Sequence, residues 1–225
     1  MSGARPGDGA RVAVVDYGVG NLRSVERALE RAGATAVITP DPDEVAGCDA
    51  VVLPGVGAFA PAAALLRSTG LGEAVSEAAR RARPVLGVCL GFQLLFEESD
   101  EGEGGSGLGL LPGRVTRIAA PGLKVPHMGW NRLHILRPDP LLQGVDEGVW
   151  CYFVHSYAAD AGTEAVVATV DHGGELAAVC RTGSVAGTQF HPEKSGAAGL
   201  GIYARLVAAC AAGSALAPAA PESAR

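Results

Sequence analysis

The chain has 225 residues, of which 48% are hydrophobic, and a formal net charge of −6. This length suits a single α/β domain, and the 18 basic residues are scattered, so the positive patch that a nucleic-acid backbone requires is missing. Five cysteines without a C-x-x-C pair are typical of a reducing compartment, and no apolar run approaches the ~20 residues of a membrane helix. We therefore expect a cytoplasmic protein.

The first half of the sequence alternates strand-like and helix-like segments. Residues 11–16, RVAVVD, form a short apolar run, and residues 22–33, LRSVERALERAG, carry apolar positions at helical spacing. The alternation continues with the predicted strands TAVIT, DAVVLPGVGAF and PVLGV. A helical segment that runs through LGEAVSEAARRA precedes PVLGV, and the helix-like segment LGFQLLFEES follows it. Strands that alternate with helices predict a parallel sheet covered on both faces.

Beyond residue 110 most predicted elements are strands separated by turns. The segments are GRVTRI, NRLHIL, VWCYFVHSY, AVVATVDH and ELAAVCRTGSVAGTQFHP, followed by a closing helix, GLGIYARLVAACAAG. This pattern predicts mixed or antiparallel strands in the second half. The composition of DEGEGGSGLGLLPG predicts a flexible loop, and that of residues 1–9 and 212–225 predicts disordered tails. We therefore predict one domain over residues 10–211, between the two tails.

A cysteine between two glycines follows the strand PVLGV. The pentapeptide GVCLG, residues 87–91, is the cysteine counterpart of the G-x-S-x-G elbow, in which a strained turn lifts the nucleophile above the sheet. Unpaired N–H groups at the start of the next helix favour a Cys89 thiolate and, beginning with that of Leu90, can stabilise an oxyanion. For the pentapeptide alone, an ordinary turn carrying a core cysteine is the alternative.

A nucleophilic thiol needs a base, and the base needs a group that orients it. In GTQFHPEKS, His191 ends a strand-like run and Glu193 follows two residues later. Side chains at i and i+2 of an extended chain share a face, so the Glu193 carboxylate can hold the imidazole tautomer. Alone, such a turn is more often a solvated loop. Together with the elbow, it completes the three roles of a catalytic triad.

The other histidines and cysteines are weaker candidates for chemistry. His134 and His172 lie beside charged or turn residues and are expected at the surface, whereas His127 and His155 are expected to line a site or an interface. No His or Cys pair has the spacing of a zinc site, and we predict neither a metal nor a cofactor. The remaining cysteines are expected to be core thiols: Cys48, Cys151, Cys180 and Cys210.

Six strings together resemble one protein family: DYGVGNLRSV, LPGVGAF, GVCLGFQLLFEES, VPHMGWN, YFVHSY and GTQFHPEKS. They are similar to the class I, triad glutamine amidotransferases, and within that class to the glutaminase subunits of imidazole glycerol phosphate synthase. The elbow and FHPE are typical of the whole class, whereas PGVG and HMGWN point to this branch. The resemblance covers residues 11–211, with Phe92 where the family often has methionine.

The resemblance implies a fold and an activity. The fold is flavodoxin-like α/β, with a mostly parallel central sheet, helices on both faces and additional antiparallel strands. Cys89 attacks the side-chain amide of glutamine, His191 protonates the departing ammonia and later activates water against the thioester, and Glu193 holds His191. The oxyanion hole is formed at Val56 and Leu90. Residues that complete the glutamine pocket are Gly57, Gln93, Glu101, Ser156 and Tyr157.

The resemblance also implies a partner. Ammonia passes into a separate (β/α)₈ cyclase/synthase subunit, with which this chain forms a heterodimer in histidine biosynthesis; this chain is too short to contain such a barrel, which typically needs ~250 residues. In the free glutaminase subunit, the Gly55–Val56 peptide presents its carbonyl to the developing oxyanion. A partner that stabilises the flipped peptide would then switch hydrolysis on.

Three other functions are alternatives to this one. A glutaminase serving another acceptor, such as the one in the pyridoxal phosphate pathway, would share the triad but lack PGVGAF and HMGWN. A cysteine hydrolase of the same fold could act on other small amides. A non-catalytic binding subunit is the third, and the intact triad argues against it.

Overall fold

The computed structural model describes residues 9–211, except for the side chain at position 211. Short 3-10 helices span Pro140–Leu142 and Pro192–Lys194. The other elements, in chain order, are β1 (Arg11–Val15), α1 (Leu22–Arg31), β2 (Thr35–Thr39), α2 (Pro42–Gly47), β3 (Ala50–Gly55), α3 (Phe59–Ser68), α4 (Leu71–Arg80), β4 (Val85–Cys89), α5 (Leu90–Leu94), β5 (Phe96–Ser99), β6 (Gly105–Ser106), β7 (Leu111–Arg117), β8 (His127–Arg132), β9 (His134–Ile135), β10 (Trp150–His155), β11 (Tyr157–Ala159), β12 (Val166–Asp171), β13 (Glu175–Thr182), β14 (Val185–Thr188) and α6 (Gly196–Ala211).

An eight-stranded sheet forms the centre of the molecule, in the order β2-β1-β3-β4-β14-β13-β12-β9. The strands from β2 to β14 run parallel, and β13, β12 and β9 extend the sheet in antiparallel fashion. Strands β3 and β4 are buried at every position, as expected for parallel strands with helices on both faces. The predicted α/β fold with antiparallel strands in the second half is confirmed.

Two hydrophobic cores lie on opposite faces of this sheet. Successive residues of β1 alternate between them: Val12 and Val14 pack on the side of α1 and α6, whereas Ala13 and Val15 pack on the side of α3, α4 and α5. This period-2 alternation follows from strand geometry and explains why an almost entirely apolar strand is stable at the centre. The carboxyl ends of β3, β4 and β14 therefore meet at one edge between two covered faces.

Two smaller sheets flank that edge. One contains β11, β7, β5 and β6, and the other is a two-stranded antiparallel ribbon of β8 and β10, with His127 paired to His155 and Trp130 paired to Tyr152. Within residues 9–211, no helix is long and apolar enough to cross a membrane. The predicted tails, 1–9 and 212–225, lie outside the described residues apart from Gly9.

Three predicted elements are wrong in detail. The helix expected over LGFQLLFEES ends at Leu94, because the next residues pair with β7 as strand β5, and long-range pairing overrides local preference. The loop predicted over residues 100–113 contains β6 and the start of β7. The strand predicted over NRLHIL, residues 131–136, overlaps only the last two residues of β8 and the two-residue strand β9. Strand β8 begins four residues earlier, at His127, where the usual alternation is inverted: polar side chains face inward and Met128 and Trp130 face outward.

Candidate active site

Cys89 ends β4 in a strained conformation directly before α5. Its φ of 55° and ψ of −110° are rare for a residue with a side chain and are typical of functional turns. Glycine is needed on both sides because of packing: a Cβ at position 87 would lie 2.7 Å from Phe92 Cα, and one at position 91 would overlap the Leu53 carbonyl. The flanking glycines thus allow α5 to lie directly on the sheet.

His191 and Glu193 follow β14, the strand next to β4. His191 Nδ1 and Glu193 Oε1 are 2.8 Å apart, and both side chains are buried. The turn is held by its own hydrogen bonds: the His191 N–H donates to Tyr152 O at 3.0 Å, and Ser195 Oγ donates to His191 O at 2.7 Å. The hydrogen bond expected from the i, i+2 spacing of His191 and Glu193 is therefore present.

The charge environment of His191 favours its protonated form. Burial lowers the pKa of the imidazole, but interaction with the Cys89 sulfur and with the Glu193 carboxylate outweighs it and raises the pKa to about 9. Since Nδ1 is taken by Glu193, Nε2 is the nitrogen left for Cys89, and it has no hydrogen-bond partner among residues 9–211. His191 thus has one ring nitrogen fixed by Glu193 and the other available at the cavity.

A cavity of about 400 Å³ opens at the Cys89 sulfur, within the usual range for small-molecule sites, roughly 300–1,000 Å³. Glu193 lies behind His191 and does not line it. All the other residues that the sequence placed in the site line this cavity. The lining residues are Val56, Gly57, Cys89, Leu90, Gln93, Glu101, Pro126, Val154, His155, Ser156, Tyr157 and His191.

Glu101 lines the cavity and also anchors a helix. Its Oε2 accepts a hydrogen bond from the Phe59 N–H at 2.8 Å, at the first residue of α3. An acidic group at a helix N-terminus is favourable because unpaired N–H groups there carry partial positive charge. This contact holds a residue of the Gly-rich segment in place and leaves the second carboxylate oxygen for a ligand.

Gln189 was missed by the sequence reasoning. It is completely buried, and its Nε2 lies 3.9 Å from Cys89 Sγ, while its Oε1 accepts from Gln93 Nε2 at 3.0 Å. Gln93 Nε2 also donates to Tyr157 O at 2.8 Å. The available signal was its position two residues before His191, on the same face of an extended segment.

His127 and His155 form a directional hydrogen-bond chain beside the cavity. His155 Nδ1 lies 2.9 Å from Tyr157 O, a carbonyl that can only accept, so Nδ1 carries the proton and Nε2 accepts from His127 Nδ1 at 2.9 Å. His127 Nε2 in turn accepts from Asn131 Nδ2 at 3.1 Å. Both imidazoles are neutral in this arrangement.

Burial stabilises the neutral forms of these two histidines. Burial, with a smaller contribution from the nearby His172, lowers the pKa of His127 to about 4. The pKa of His155 falls to about 3, again mainly through burial, although its bond to Tyr157 opposes the change. The His172 ring stacks on His127 with centroids 4.3 Å apart. The expectation that His127 and His155 line a site holds for His155, which borders the cavity directly.

The segment from the end of β3 to α3, which contains Val56, is tightly packed at its first residues and exposed to solvent at Val56. Tyr17 Oη donates to Pro54 O at 2.8 Å, and a Cβ at Gly55 would collide with that hydroxyl. Val56 is 43% exposed, and Gly57 has a φ of +101°, which an L side chain rarely adopts. Glycine is thus required at position 55 by space and at position 57 by conformation.

The outer face of the β8–β10 ribbon exposes three large apolar side chains, beside Arg132, whose guanidinium lies 5.2 Å from the centroid of the Trp150 ring. Met128, Trp130 and Trp150 are 64%, 54% and 50% exposed, although large apolar side chains usually avoid water. Lys194, in the 3-10 helix after β14, places its Nζ 5.5 Å from the centroid of the Tyr152 ring on this ribbon. These residues adjoin the strands that carry His127 and His155, and therefore flank the cavity. Within residues 9–211 no group of three or more His, Cys, Asp or Glu residues is arranged for a metal ion.

Comparison with known proteins identifies the family of the chain. The family model "Glutamine amidotransferase class-I" matches residues 13–203. The chain is 51% identical to the imidazole glycerol phosphate synthase subunit HisH of Synechococcus sp. (strain JA-3-3Ab), covering 88% of this chain and 93% of that one. It is 46% identical to the HisH subunit of Methanosarcina mazei, covering 89% and 99%.

Solved structures support the fold. The PurLQS structure from Thermotoga maritima contains a chain that superposes with a TM-score of 0.68 at 21% identity, covering 89% of this chain and 98% of that one. The glutaminase domain of Trypanosoma brucei CTPS, with bound acivicin, superposes with a TM-score of 0.64 at 18% identity, covering 90% and 94%. The chain belongs to the class I glutamine amidotransferase family and, within it, to the group of imidazole glycerol phosphate synthase HisH subunits.

Proposed function

We propose that this chain is the glutaminase subunit of imidazole glycerol phosphate synthase. It hydrolyses glutamine to glutamate and ammonia, and the ammonia passes to a separate (β/α)₈ cyclase/synthase subunit in histidine biosynthesis. The observation that carries the proposal is the Cys89 thiol at the floor of the cavity beside the buried His191–Glu193 pair, in a chain about half identical to HisH subunits.

In the first half of the proposed reaction, Cys89 Sγ attacks the side-chain carbonyl carbon of glutamine. The negative charge that develops on the carbonyl oxygen is stabilised by the N–H groups of Leu90 and Val56, because preorganised donors act strongly in a site shielded from water. As the C–N bond breaks, His191 Nε2 gives its proton to the leaving nitrogen. Ammonia departs, and a thioester between Cys89 and the glutamyl group remains.

In the second half, the neutral His191 takes a proton from water as the water oxygen attacks the thioester. The C–S bond breaks, glutamate leaves, and the thiolate and imidazolium are restored. Glu193 accepts a hydrogen bond from Nδ1 throughout, which keeps Nε2 directed at the reacting atoms and stabilises the cation. Each half therefore begins with His191 in the protonation state that the other half leaves behind.

The pocket suits the polar ends of glutamine. The second carboxylate oxygen of Glu101 is free to accept from an ammonium group of the substrate, and Gly57, Gln93, Ser156 and Tyr157 supply further polar atoms around the cavity. A charged carboxylate that is fixed by the Phe59 N–H provides a stable counter-charge. On this basis Glu101 orients the substrate and takes no part in proton transfer.

The apolar face of the β8–β10 ribbon is the proposed contact for the cyclase subunit. Covering Met128, Trp130 and Trp150 would remove large apolar side chains from water, and tryptophan is enriched among the residues that dominate interface energies. This face adjoins the cavity, so a partner seated there could receive ammonia before it meets solvent. We place the complex in the cytoplasm, in keeping with five free cysteines.

Reconstitution with the cyclase subunit tests the proposal. Mixed in equal amounts, the two chains should form a 1:1 complex and make imidazole glycerol phosphate from glutamine and the ribonucleotide acceptor. Cys89→Ala should abolish glutamine-dependent turnover, while the same complex still uses added ammonia, because the acceptor chemistry lies in the partner. Glutaminase activity near the wild-type level in Cys89→Ala would exclude Cys89 as the nucleophile.

The docking face is tested in the same assay. Trp130→Ala should weaken the complex by at least about thirtyfold in Kd, which corresponds to an interface hot spot of about 2 kcal/mol or more. Leu65→Ala, which also removes an exposed apolar side chain but on α3, is the matched control and should leave Kd unchanged. If both variants bind like wild type, the partner docks elsewhere.

A further inference from the structure

We propose that Gln189 is a further catalytic residue, whose side-chain amide donates a hydrogen bond to the Cys89 thiolate and is aligned for this by Gln93. The inference rests on the proposed role of Cys89 as nucleophile and adds a group that the triad does not include. It stands on three observations: the complete burial of Gln189, its position on the strand beside Cys89, and the direction of the hydrogen bonds around it.

The sheet brings Gln189 to the nucleophile. Strands β14 and β4 are parallel neighbours with Thr188 in register with Val88, so the next residue on each strand, Gln189 and Cys89, leave the sheet side by side. The Gln189 N–H donates to Ala178 O at 2.9 Å, which holds its backbone. Burying a primary amide costs free energy unless its polar atoms are hydrogen-bonded. The partner of the buried Gln189 Nε2 is the Cys89 sulfur.

The orientation of the two amides follows from their surroundings. Tyr157 O is a backbone carbonyl and can only accept, so Gln93 turns its NH₂ towards it. The same NH₂ group lies 3.0 Å from Gln189, whose oxygen must therefore be the atom on that side. Gln189 Nε2 is then the atom that faces Cys89 Sγ. Exchanging O and N in Gln189 would set two donors against each other, and exchanging them in Gln93 would set its oxygen against two acceptors.

The hydrogen bonds of Gln93 and Gln189 affect both the Cys89 sulfur and the substrate pocket. At the sulfur, an N–H directed at a thiolate stabilises the anion, and the resting distance of 3.9 Å leaves room to shorten when the substrate is bound. At the pocket, both N–H groups of Gln93 are used by Tyr157 and Gln189, which leaves the Gln93 oxygen as an acceptor for an N–H of the ligand. Gln189 thereby links the nucleophile to substrate recognition.

The test is the pH dependence of Cys89 alkylation in the full-length chain. Iodoacetamide reacts with the thiolate, and mapping the modified peptide isolates Cys89 from the other four cysteines. Gln189→Met removes the amide at similar side-chain length, and the midpoint of the rate–pH profile should move up by about one pH unit, with a roughly tenfold lower rate below the midpoint, as expected for losing one hydrogen bond to a charged group. Gln143→Met, the same replacement at an exposed position, should leave the profile unchanged.

If Gln189→Met does not fold, a second variant provides the same test. Gln189→Glu keeps the shape of the side chain and replaces the donor with an oxygen, so the midpoint should move in the same direction and further. In the reconstituted complex, both variants should lose glutamine-dependent kcat while ammonia-dependent turnover, which reports an intact complex, stays at the wild-type level.

The outcomes separate this inference from the proposed function. A wild-type alkylation profile in a folded Gln189 variant overturns the inference, and it does so whether or not Cys89→Ala abolishes glutaminase activity. If Cys89→Ala retains activity, the proposed nucleophile is wrong. An upward shift in both Gln189 variants, together with loss of glutamine-dependent kcat and retained ammonia use, supports the assignment.

Discussion

The chemistry proposed for this protein depends on one residue in an unfavourable backbone conformation. A positive φ at a residue other than glycine costs on the order of 1–3 kcal/mol, so it persists only where the surroundings enforce it. At Cys89 they do: the strand register pairs it with Gly55, and the packing of α5 on the sheet leaves no room for a Cβ at position 91. The strain places the thiol at the cavity, beside the N–H of Leu90.

The roles of His191 and Glu193 differ, and so should their variants. As a general acid and base, His191 should contribute about 10²–10⁴-fold to turnover, whereas Glu193→Gln mainly loosens the orientation of the ring and should cost less. Thioester formation, measured in the quenched reaction of the complex, distinguishes the two steps. If His191→Asn forms the thioester as fast as wild type, another residue is the acid of the first half; if it hydrolyses the thioester as fast as wild type, another residue is the base of the second half.

The pH profile of the glutaminase reaction should report the protonated His191. Its pKa is raised to about 9, so the imidazolium that gives its proton to the leaving nitrogen in the proposed reaction is present at neutral pH and is lost as the pH rises through about 9. We expect kcat/KM for glutamine in the complex to fall on that alkaline side. Because Glu193 is one of the groups that raise this pKa, Glu193→Gln should move the fall to lower pH. An alkaline limb that stays in place contradicts this assignment.

At the scale of elements, the segment from β3 to α3 is the part suited to switching. Tyr17 holds the Pro54 carbonyl, whereas Val56 is exposed, so the peptides after Pro54 are the ones with room to turn. If the Gly55–Val56 peptide presents its carbonyl in the free chain, one oxyanion donor is missing. Loss of one such donor costs about 2.7–4 kcal/mol, or about 10²–10³ in rate.

We therefore predict that the isolated chain hydrolyses glutamine barely above background, and that the partner with its acceptor ligand raises the rate at least about a hundredfold. Gly55→Pro should blunt this activation, because it restricts the backbone that must turn and displaces the Tyr17 hydroxyl. Gly47→Ala, a glycine with open space around it, is the matched control. Glutamate release is the measurement, and full activity of the isolated chain rules the switch out.

At the scale of the whole molecule, the buried histidine chain sets the response to acid. His127 and His155 are neutral when folded, with pKa values lowered to about 4 and about 3, whereas in the unfolded chain they take up protons near pH 6.5. The unfolded state thus binds more protons as the pH falls below about 6.5. The stability that their neutral forms contribute is complete above that pH and is lost towards pH 4.

Denaturant unfolding between pH 6 and 4.5 measures this effect. His155→Gln should be less stable than wild type at pH 7.5, since it disrupts the bond to Tyr157, but its free energy of unfolding should fall by about 1.4 kcal/mol less per pH unit. His134→Gln, at an exposed position outside the chain of bonds, is the comparison. Equal slopes in wild type and His155→Gln would show that His155 is protonated in the folded state.

The sequence alone determined the features that depend on near neighbours along the chain. The alternation of apolar strands and amphipathic helices predicts the parallel sheet, because each period is a local property of the backbone. The glycines around Cys89 indicate a strained turn, and the i, i+2 spacing of His191 and Glu193 indicates their hydrogen bond. The pocket residues came from resemblance to a family, and their roles in catalysis stay predictions.

Only the tertiary structure decided which distant residues meet. Gln189 contacts residues 100 and 96 positions away, at Cys89 and Gln93, because β14 inserts beside β4 in the sheet, and no local pattern encodes that strand order. The bond between His127 and His155 requires the register of two strands. Strand β8 was placed too late in the sequence because its apolar side chains face outward, and the physical signal for a strand, burial of alternate apolar residues, exists only where a core covers it.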